Sequence, residues 1–213
     1  LNTDYPFLVN GILYFPKLRP DVDITQGNIK LFCNQVFVSE HCEEIIPKFL
    51  LPMRGVIDSP DIPLNVSRSA LQADRKVRSI ANFIAKKVGD RLQDLYEQNR
   101  AEYIKSWQDL GTFVKFGILN DEKFKKQVEE IVIFRTTADL SSGAPQVEVQ
   151  TAEGETMTAD QSMATDAKGR FYTTLKDYLD RNREKHENRV YYASDEANQA
   201  SYIQLHRDQG LEV

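Results

Sequence analysis

Three polar residues stand close together where an extended stretch runs into a predicted helix. They are Asn65, Arg68 and Gln72, within the run DIPLNVSRSALQ at residues 61–72. The N-terminal end of a helix carries about half a positive charge and several unpaired N–H donors, so a cation there does not stabilise the helix. Arg68 and Gln72 are four residues apart and share one helix face. A planar guanidinium beside free N–H groups suits a phosphate, and the arrangement therefore predicts an anion site.

An ion pair between Arg68 and a nearby acid is the alternative interpretation, with Asp58 and Asp61 as candidate partners. An arginine alone cannot hold and activate ATP, so the rest of a nucleotide pocket would have to come from elsewhere. The chain contains no G-x-x-x-x-G-K-[ST], no G-x-G-x-x-G and no G-x-S-x-G sequence. It therefore lacks a phosphate-binding loop and a nucleophile elbow of these types.

The other residue types that carry chemistry give weaker patterns, and no metal site is predicted. Three histidines lie without ligand spacing and are expected to be surface or half-buried rings: His41, His186 and His206. The two cysteines form no C-x-x-C motif and are expected to be buried thiols: Cys33 and Cys42. Two acidic pairs are expected on helix surfaces: Glu43–Glu44 and Glu129–Glu130.

The composition is that of an ordinary globular protein. Of the 213 residues, 41% are hydrophobic and 28% are charged. The net charge of −5 argues against a dedicated nucleic-acid binder. The apolar runs are too short for a membrane span. The chain begins at Leu1 and ends in LEV, and we expect it to be a piece of a longer protein.

The first half of the sequence predicts a strand-rich region followed by helices. Strands are predicted over 6–17, over 28–39 and over 53–59. A short helical piece closed by Pro47 is predicted between the last two. In the second strand, Ile29, Leu31 and Cys33 alternate with more polar residues, as in a half-buried strand. The longest periodic segment predicts a helix over 67–98, with Ser67 as its N-cap.

Two further helices are predicted after this long one. The first covers 100–110 and is broken at Gly111 and Gly117, and the second is capped by Asn120 or Asp121. Four aromatic residues at near-helical spacing are interpreted as the core of this connector, and any exposed part of them is a candidate partner surface: Tyr103, Trp107, Phe113 and Phe116.

The final third of the chain changes in character. Residues 137–170 are polar and are predicted to be a flexible loop or insertion, in which QVEVQT gives a weak hairpin strand. A short helix is then expected near 175–179, followed by a strand over 188–195 and a helix stopped by Gly210. The terminal LEV reads as the opening of another strand. Strand, helix and strand in this order predict a small parallel βαβ unit.

The predicted fold class is α/β (α+β). The larger lobe covers 1–99, a helical connector 100–136, the polar insertion 137–170 and the smaller lobe 171–213. From these patterns we expect the larger lobe to be rich in strands and closed by the long helix, and the smaller one to be an α/β lobe that contains the βαβ unit.

Several long motifs, taken in order, resemble the middle domain of the heat-shock protein 90 chaperone family in its bacterial form. The most specific is RGVIDSPDIPLNVSRSALQ at 54–72. The others are NGILYFPK (10–17), NIKLFCNQVFV (28–38), CEEIIPKFL (42–50), VRSIANFIAKKVGDRL (77–92), KFGILND (115–121) and NRVYYASD (188–195). The resemblance covers about 1–135 strongly and 171–213 moderately.

The resemblance implies a larger α/β/α sandwich lobe, a short helical connector and a smaller α/β/α lobe that is truncated here. It also implies a domain of an ATP-driven chaperone of the cytoplasm that takes part in stress response and protein folding. ATP and its Mg²⁺ would be held mainly by a separate N-terminal domain, and a C-terminal domain would make a homodimer. Arg68 would reach the γ-phosphate, with Gln72 beside it, and Asn65 would help to form the nucleotide-binding loop. Other partners would be client polypeptides and co-chaperones. The chain alone would be a monomer without turnover.

Two departures and two alternatives accompany this reading. Ser69 and Ala70 replace a bulkier pair expected after the arginine, and 137–170 has no counterpart in the family pattern. The transducer domain of a DNA-linked ATPase, of the gyrase or mismatch-repair type, is the first alternative, although a Q-T-K-like loop is absent. Retention on heparin or DNA would favour it, since phosphate contacts give salt-dependent affinity. A stand-alone enzyme is the second, and the missing motifs argue against it.

Overall fold

The chain is divided into two units, and each is considered by itself. The computed structural model describes residues 1–17, 28–40, 46–50, 52–62, 75–141, 146–150, 156–160, 165–166 and 168–213. The first unit comprises residues 1–93 and 109–129, and the second comprises 94–108 and 130–213. The mixture of helices with parallel and antiparallel strands confirms the predicted α/β class.

A five-stranded mixed sheet organises the first unit, with strand order β1-β2-β5-β3-β4. The strands are β1 (Asn2–Thr3), β2 (Val9–Tyr14), β3 (Asn28–Cys33), β4 (Val36–Ser39) and β5 (Arg54–Asp58). β3 pairs with β5 in parallel, and the other pairs are antiparallel. The strands predicted near 6–17 and 53–59 are therefore confirmed.

The single strand predicted over 28–39 is wrong, because a tight turn divides it into β3 and β4. Asn34 and Gln35 have positive φ angles of 50° and 66°, as the turn of a two-residue hairpin requires. The alternation predicted within β3 is confirmed, since Ile29, Leu31 and Cys33 are all buried. One-sided burial of this strand therefore follows from its sequence period.

The backbones of β2 and β5 approach each other closely at Gly55, where glycine is required. Gly55 in β5 has a φ of +142°, and a Cβ atom there would lie 1.8 Å from the carbonyl oxygen of Ile12 in β2. A Cβ atom at residue 55 would therefore overlap the backbone of β2, so no other L residue fits there.

Three helices belong wholly or partly to the first unit: α1 (Arg75–Gln98), α2 (Arg100–Asn120) and α3 (Glu122–Val128). The spacing predicted for α1 is confirmed, because one face is buried along the helix: Val77, Ile80, Ile84, Val88 and Leu92. The predicted N-cap, Ser67, lies outside the described residues. Of the two predicted caps of α3, Asp121 is the one observed, and its side chain accepts from the N–H groups of Lys123 and Phe124.

The break predicted at Gly111 and Gly117 is wrong, since α2 runs through both. Gly117 is needed for packing instead, because a Cβ atom there would lie 2.7 Å from the ring of Phe124 and 2.8 Å from that of Phe49. These two rings are themselves in contact, with centroids 4.6 Å apart. The helical piece predicted before Pro47 falls mostly on 41–45, outside the described residues, and the 3-10 turn Lys48–Leu50 follows Pro47 instead of ending at it.

Among its described residues, the second unit contains two small antiparallel sheets, the parts of α1 and α2 that fall within 94–108, and two further helices. β6 (Ile133–Arg135) pairs with β9 (Tyr172–Thr174), and β7 (Gln146–Gln150) pairs with β8 (Thr156–Asp160). The hairpin predicted from QVEVQT is thus confirmed. α4 (Leu175–Asn182) begins at the cap Thr174, and α5 (Ala200–Asp208) is followed by Gly210 with a φ of +69°, as predicted.

The strand predicted over 188–195 is wrong, since this stretch forms no strand in the described chain. Its backbone groups bond elsewhere: the N–H of Tyr191 donates to the hydroxyl of Tyr178, and those of Ser194 and Asp195 donate to Gln199 Oε1. Residues 211–213 form no strand either. Of the predicted parallel βαβ unit, only its helix, α5, is present among the described residues.

Candidate functional site

The residues of the predicted anion site are not described, but those before and after them in the sequence are. Asn65, Arg68 and Gln72 all fall within 63–74, outside the described residues. In the sequence, β5 and the turn that follows it, up to Ile62, precede this stretch. The helix α1, described from Arg75, follows it. Residues 58–62, called here the anchor turn, are the last described residues before 63–74, which are called the arginine segment.

The anchor turn starts at the end of β5 and is held to the neighbouring strand β3. Ser59 is fully buried, and its N–H donates to the carbonyl of Phe32 over 3.1 Å. The Oδ2 atom of Asp58 accepts from the N–H of Gln35, 3.0 Å away. The other oxygen of Asp58, Oδ1, is buried without a hydrogen-bond partner among the described residues.

Hydrogen bonds hold the second half of the anchor turn, Asp61 and Ile62, both to Ser59 within the turn and to Leu8 before β2. The N–H of Asp61 donates to Ser59 Oγ over 3.3 Å, and the N–H of Ile62 donates to the carbonyl of Ser59 over 3.3 Å. The Oδ2 atom of Asp61 accepts from the N–H of Leu8, which lies 53 residues earlier, at 3.0 Å. Ile62 is 1% exposed and so fastens the turn in the core. The last described residue before the arginine segment, Ile62, is thus held in the core of the first unit.

Two pairs of exposed apolar side chains lie on the first unit. Ile12 and Val56 are cross-strand partners in β2 and β5, and both are exposed. Phe116 and Leu119 lie three residues apart on α2 and are exposed as well. Of the four aromatic residues interpreted as core, Tyr103, Trp107 and Phe113 are buried, whereas Phe116 is 48% exposed.

A buried carboxylate organises the end of the second unit. Glu212 accepts hydrogen bonds from the Nε and Nη2 atoms of Arg181 at 3.0 and 2.6 Å, from Asn182 at 2.6 Å and from Thr136 at 2.6 Å. These four residues are called the Glu212 network. Burial alone would raise the pKa of Glu212, but the hydrogen bonds outweigh it and hold the pKa below 4.5.

His186 lies next to this network and is 2% exposed, so the expectation of a surface or half-buried ring is wrong for it. Its Nε2 atom accepts from the N–H of Glu212 at 3.3 Å, and its Nδ1 atom lies 3.0 Å from the hydroxyl of Tyr178. That hydroxyl donates to the carbonyl of Glu212, which leaves Nδ1 as the protonated nitrogen. Burial lowers the pKa of His186 below 6.5, and the neutral ring is the form that fits.

A second buried carboxylate, Asp166, lies within the segment predicted to be a flexible insertion. It accepts from Arg170 Nε at 2.6 Å, from Tyr172 at 3.1 Å and from Gln108 at 3.2 Å. Burial by itself raises the pKa of Asp166, but these bonds and two from backbone N–H groups place it well below 3.8. Because its charge is fully paired, Asp166 holds these neighbouring residues together and is unsuited to acid–base chemistry.

Metal binding has no support from the side chains that are described. No three histidine, cysteine or acidic residues gather there in a way that would hold a metal ion. Cys33 is a buried free thiol, as expected, while Cys42 and His41 lie outside the described residues. In the described chain no helix is both long and apolar enough to cross a membrane.

Sequence reasoning missed the residues that act through distant partners. Asp61 was considered only as an ion-pair partner of Arg68, and its contact with Leu8 joins positions that no local pattern connects. Glu212 and His186 gave no signal for the same reason. A buried ionisable residue would have been suspected only from the apolar residues on either side of Glu212, Leu211 and Val213.

Comparison with known proteins gives one family. A sequence model of the family described as "Hsp90 protein" matches residues 4–145. A chaperone protein htpG of Bacteroides fragilis (strain YCH46) is 37% identical over 218 residues, which is 100% of this chain and 28% of that protein. The chaperone protein HtpG of Bordetella avium (strain 197N) is 31% identical over 95% of this chain and 29% of its own length.

Identity is higher over a shorter region. The chaperone protein HtpG of Porphyromonas gingivalis (strain ATCC 33277) is 48% identical over 134 residues, or 63% of this chain and 20% of that protein. The chain thus spans less than a third of the length of these relatives.

Proposed function

The chain belongs to the Hsp90 family of chaperones, and from this we propose that it is the middle domain of an ATP-dependent chaperone and supplies Arg68 to the γ-phosphate of ATP. The observation that carries the proposal is the run DIPLNVSRSALQ, in which Arg68 is predicted to stand at the start of a helix, in a sequence with no phosphate loop of the types sought. The share of the relatives that the chain covers, 28% in the first of them, supports an assignment as one domain of several.

Arg68 acts by charge and by geometry in this proposal. Its guanidinium donates to the oxygens of the terminal phosphate, as in other bidentate arginine–phosphate pairs. Gln72, predicted one helical turn further on, donates from its amide N–H₂ to the same phosphate, and Asn65 shapes the loop before the predicted helix. In this proposal ATP and its Mg²⁺ are held mainly by a separate N-terminal domain, as in the family that the chain resembles.

Closure of that N-terminal domain onto this one brings the phosphate to Arg68. Arginine fingers contribute about 10³–10⁵ in rate in other phosphoryl-transfer systems. We expect a smaller effect here, because the arginine also stabilises the closed state and makes closure the slow step. The chain by itself therefore has no turnover, and hydrolysis is coupled to conformational change only in the full protein.

The remaining partners follow from the same proposal. A C-terminal domain makes the full protein a homodimer in the cytoplasm, and the chain alone is a monomer. Client polypeptides and co-chaperones bind exposed surface. The exposed pairs Ile12–Val56 and Phe116–Leu119 support apolar contact with unfolded chains. A lobe over 1–99, a connector over 100–136, an insertion over 137–170 and a lobe over 171–213 remain our proposed domain boundaries.

Steady-state ATP hydrolysis by the full-length protein carrying Arg68→Ala tests the proposal, with nucleotide affinity measured on the same samples. We expect turnover to fall by about 10- to 10³-fold, the upper end matching the weakest arginine fingers, with affinity nearly intact. Arg68→Lys keeps the charge but loses the planar guanidinium, which can donate two parallel hydrogen bonds. We therefore expect it to be only slightly faster than Arg68→Ala.

The opposite result has a clear meaning. Unchanged turnover combined with a lower melting temperature would assign Arg68 to a structural ion pair with Asp58 or Asp61, and the proposed role would be wrong. The transducer domain of a DNA-linked ATPase is not favoured, because the relatives that cover the chain are chaperones.

A further inference from the structure

We propose that residues 211–213 are held to the second unit by a pH-sensitive latch, formed by the side chains of Tyr178 and His186. The latch binds the backbone of Glu212 while the ring of His186 is neutral, and it loosens when that ring binds a second proton. All of these residues belong to the second unit and are described. The inference goes beyond the proposed function and does not depend on the role of Arg68.

The latch binds both backbone polar groups of Glu212. The N–H of Glu212 donates to the Nε2 atom of His186 over 3.3 Å, and its carbonyl accepts from the hydroxyl of Tyr178 over 2.9 Å. Tyr178 and His186 are 5% and 2% exposed. Because water has little access to these side chains, a latch bond that is broken in place is not replaced by one to solvent.

A second proton on His186 changes one of its two ring contacts. Nδ1 carries the proton of the neutral ring, lies 3.0 Å from the hydroxyl oxygen of Tyr178 and donates to it in both protonation states. Nε2 accepts in the neutral ring and becomes a donor in the charged ring. It would then point an N–H at the N–H of Glu212, so the effect of the proton is directed at residues 211–213.

Ionisable groups face the ring from each element that packs against it. They are Tyr178 on α4, Lys185 just before His186, Tyr191 in the stretch after it, and Glu212. His206 on α5 lies one ring further out, with its centroid 5.1 Å from that of Tyr191.

These surroundings oppose the charged form of the ring. Burial and the charge of Lys185 lower the pKa of His186 below 6.5, whereas the carboxylate of Glu212 raises it. The ring in the closed latch therefore binds its second proton less readily than a ring in water does. By linkage, uptake of that proton favours the open latch.

The Glu212 network limits this change to the backbone of the segment. Its hydrogen bonds from Arg181, Asn182 and Thr136 reach the carboxylate of Glu212 and do not involve His186. The pKa of Glu212 is held below 4.5, so the carboxylate stays ionised above about pH 5. Residues 211–213 therefore remain fastened by a side chain when the latch loosens, and the opening is local and reversible.

Hydrogen exchange of the full-length protein, measured by mass spectrometry on peptides that cover residues 210–213, tests the latch between about pH 5 and pH 7. Protection factors correct for the pH dependence of the intrinsic exchange rate. We expect the protection to be constant above about pH 6.5 and to fall by up to about 10-fold per pH unit below it, until the lowered pKa of the closed ring is reached. Amides around Ile104, which is buried on α2 in the same unit, should keep their protection, as they do when the unit stays folded.

Two histidine variants separate the latch from other effects of pH. His186→Gln keeps an oxygen that accepts from the N–H of Glu212 but does not titrate, so its protection at 210–213 should stay constant over the whole range. His206→Gln is the matched control, because the Nδ1 atom of His206 bonds to the carbonyl of Tyr202 within α5. This variant should keep the full pH dependence of the parent.

Three outcomes would overturn the inference. The first is a protection of the parent at 210–213 that does not change with pH, and the second is an equal change in His186→Gln. The third is an equal loss of protection around Ile104, because the whole unit would then be unfolding. If His186→Gln does not fold, exchange of the C2–H of His186 in the parent gives the titration midpoint of the ring. The fall in protection should end near that midpoint, and a fall that continues below it would also overturn the inference.

Discussion

Replacement of Glu212 by alanine tests whether its buried carboxylate stabilises the second unit. The side chain is 7% exposed and accepts from Arg181, Asn182 and Thr136. Alanine leaves a guanidinium and two nearly buried polar groups without their acceptor. Breaking a buried ion pair by removing one partner costs about 3–5 kcal/mol.

The lower end of that range applies here, because the Arg181 side chain is 34% exposed and water replaces part of what it loses. We therefore expect Glu212→Ala to lower the free energy of unfolding by about 3 kcal/mol. Glu212→Gln keeps one acceptor oxygen but turns an amide N–H₂ towards donors, and we expect a loss of about 1–2 kcal/mol.

The assay is urea unfolding followed by the fluorescence of Trp107. This is the sole tryptophan of the sequence, it is 6% exposed, and it lies within the second unit. The signal therefore comes from the unit that contains Glu212. The m-value should stay constant, since the surface exposed on unfolding does not change.

Glu187→Ala is the matched control for this measurement. Its carboxylate forms an ion pair with Arg189 at 3.0 Å, but both side chains are about 70% exposed, at 73% and 69%. Exposed pairs contribute roughly 0–1 kcal/mol, so this variant should unfold almost like the parent. A Glu212→Ala variant as stable as Glu187→Ala would refute the reasoning, because the four hydrogen bonds would then add nothing beyond what water supplies.

Two further predictions concern stability. The pKa of His186 is held below 6.5 by burial, so that, as the pH falls, the unfolded chain binds a proton before the folded chain does. The contribution of this neutral ring to the free energy of unfolding is therefore full above about pH 6.5 and decreases as the pH falls towards the lowered pKa. The slope of the unfolding free energy of the second unit against pH, up to about 1.4 kcal/mol per unit, should be smaller in His186→Gln, and an equal slope would contradict the assignment. Gly55→Ala places a Cβ atom on the carbonyl of Ile12 and should lower the melting temperature. The control is Gly169→Ala, where φ is also positive, at +70°, but no atom lies within 4 Å of the added Cβ, so its decrease should be far smaller. Equal decreases in melting temperature would contradict the packing argument.

Local patterns predicted the elements whose stability depends on their own sequence. The alternation in β3, the apolar spacing of α1, the Asp121 cap and the Gly210 stop were all readable, since each depends on neighbours within one or two turns of chain. The same reasoning failed at Gly117, where a helix-breaking residue lies inside α2. Its place is decided by the rings of Phe49 and Phe124, which no window around residue 117 contains together.

The stretch 188–195 shows the opposite error. It is rich in residues that favour strands, yet a strand needs a partner for its N–H and C=O groups. In the described chain its N–H groups bond to Tyr178 and Gln199 instead. Propensity thus gave the right composition for a strand without specifying a neighbour, and the predicted βαβ unit failed for that reason.

The sequence by itself determined the family and the α/β class, and it gives Arg68, Asn65 and Gln72 as site residues that stay a prediction. Motifs and helix-end chemistry are local properties of the chain, which is why they can be recognised without a structure. Only the tertiary structure decided which groups hold other groups in place: Leu8 with Asp61 across 53 residues, and Thr136 and Arg181 with Glu212. The physical reason is that hydrogen bonds and packing act over a few ångströms in space, whatever the separation along the chain. Chain position therefore names candidate residues, and the fold selects their partners.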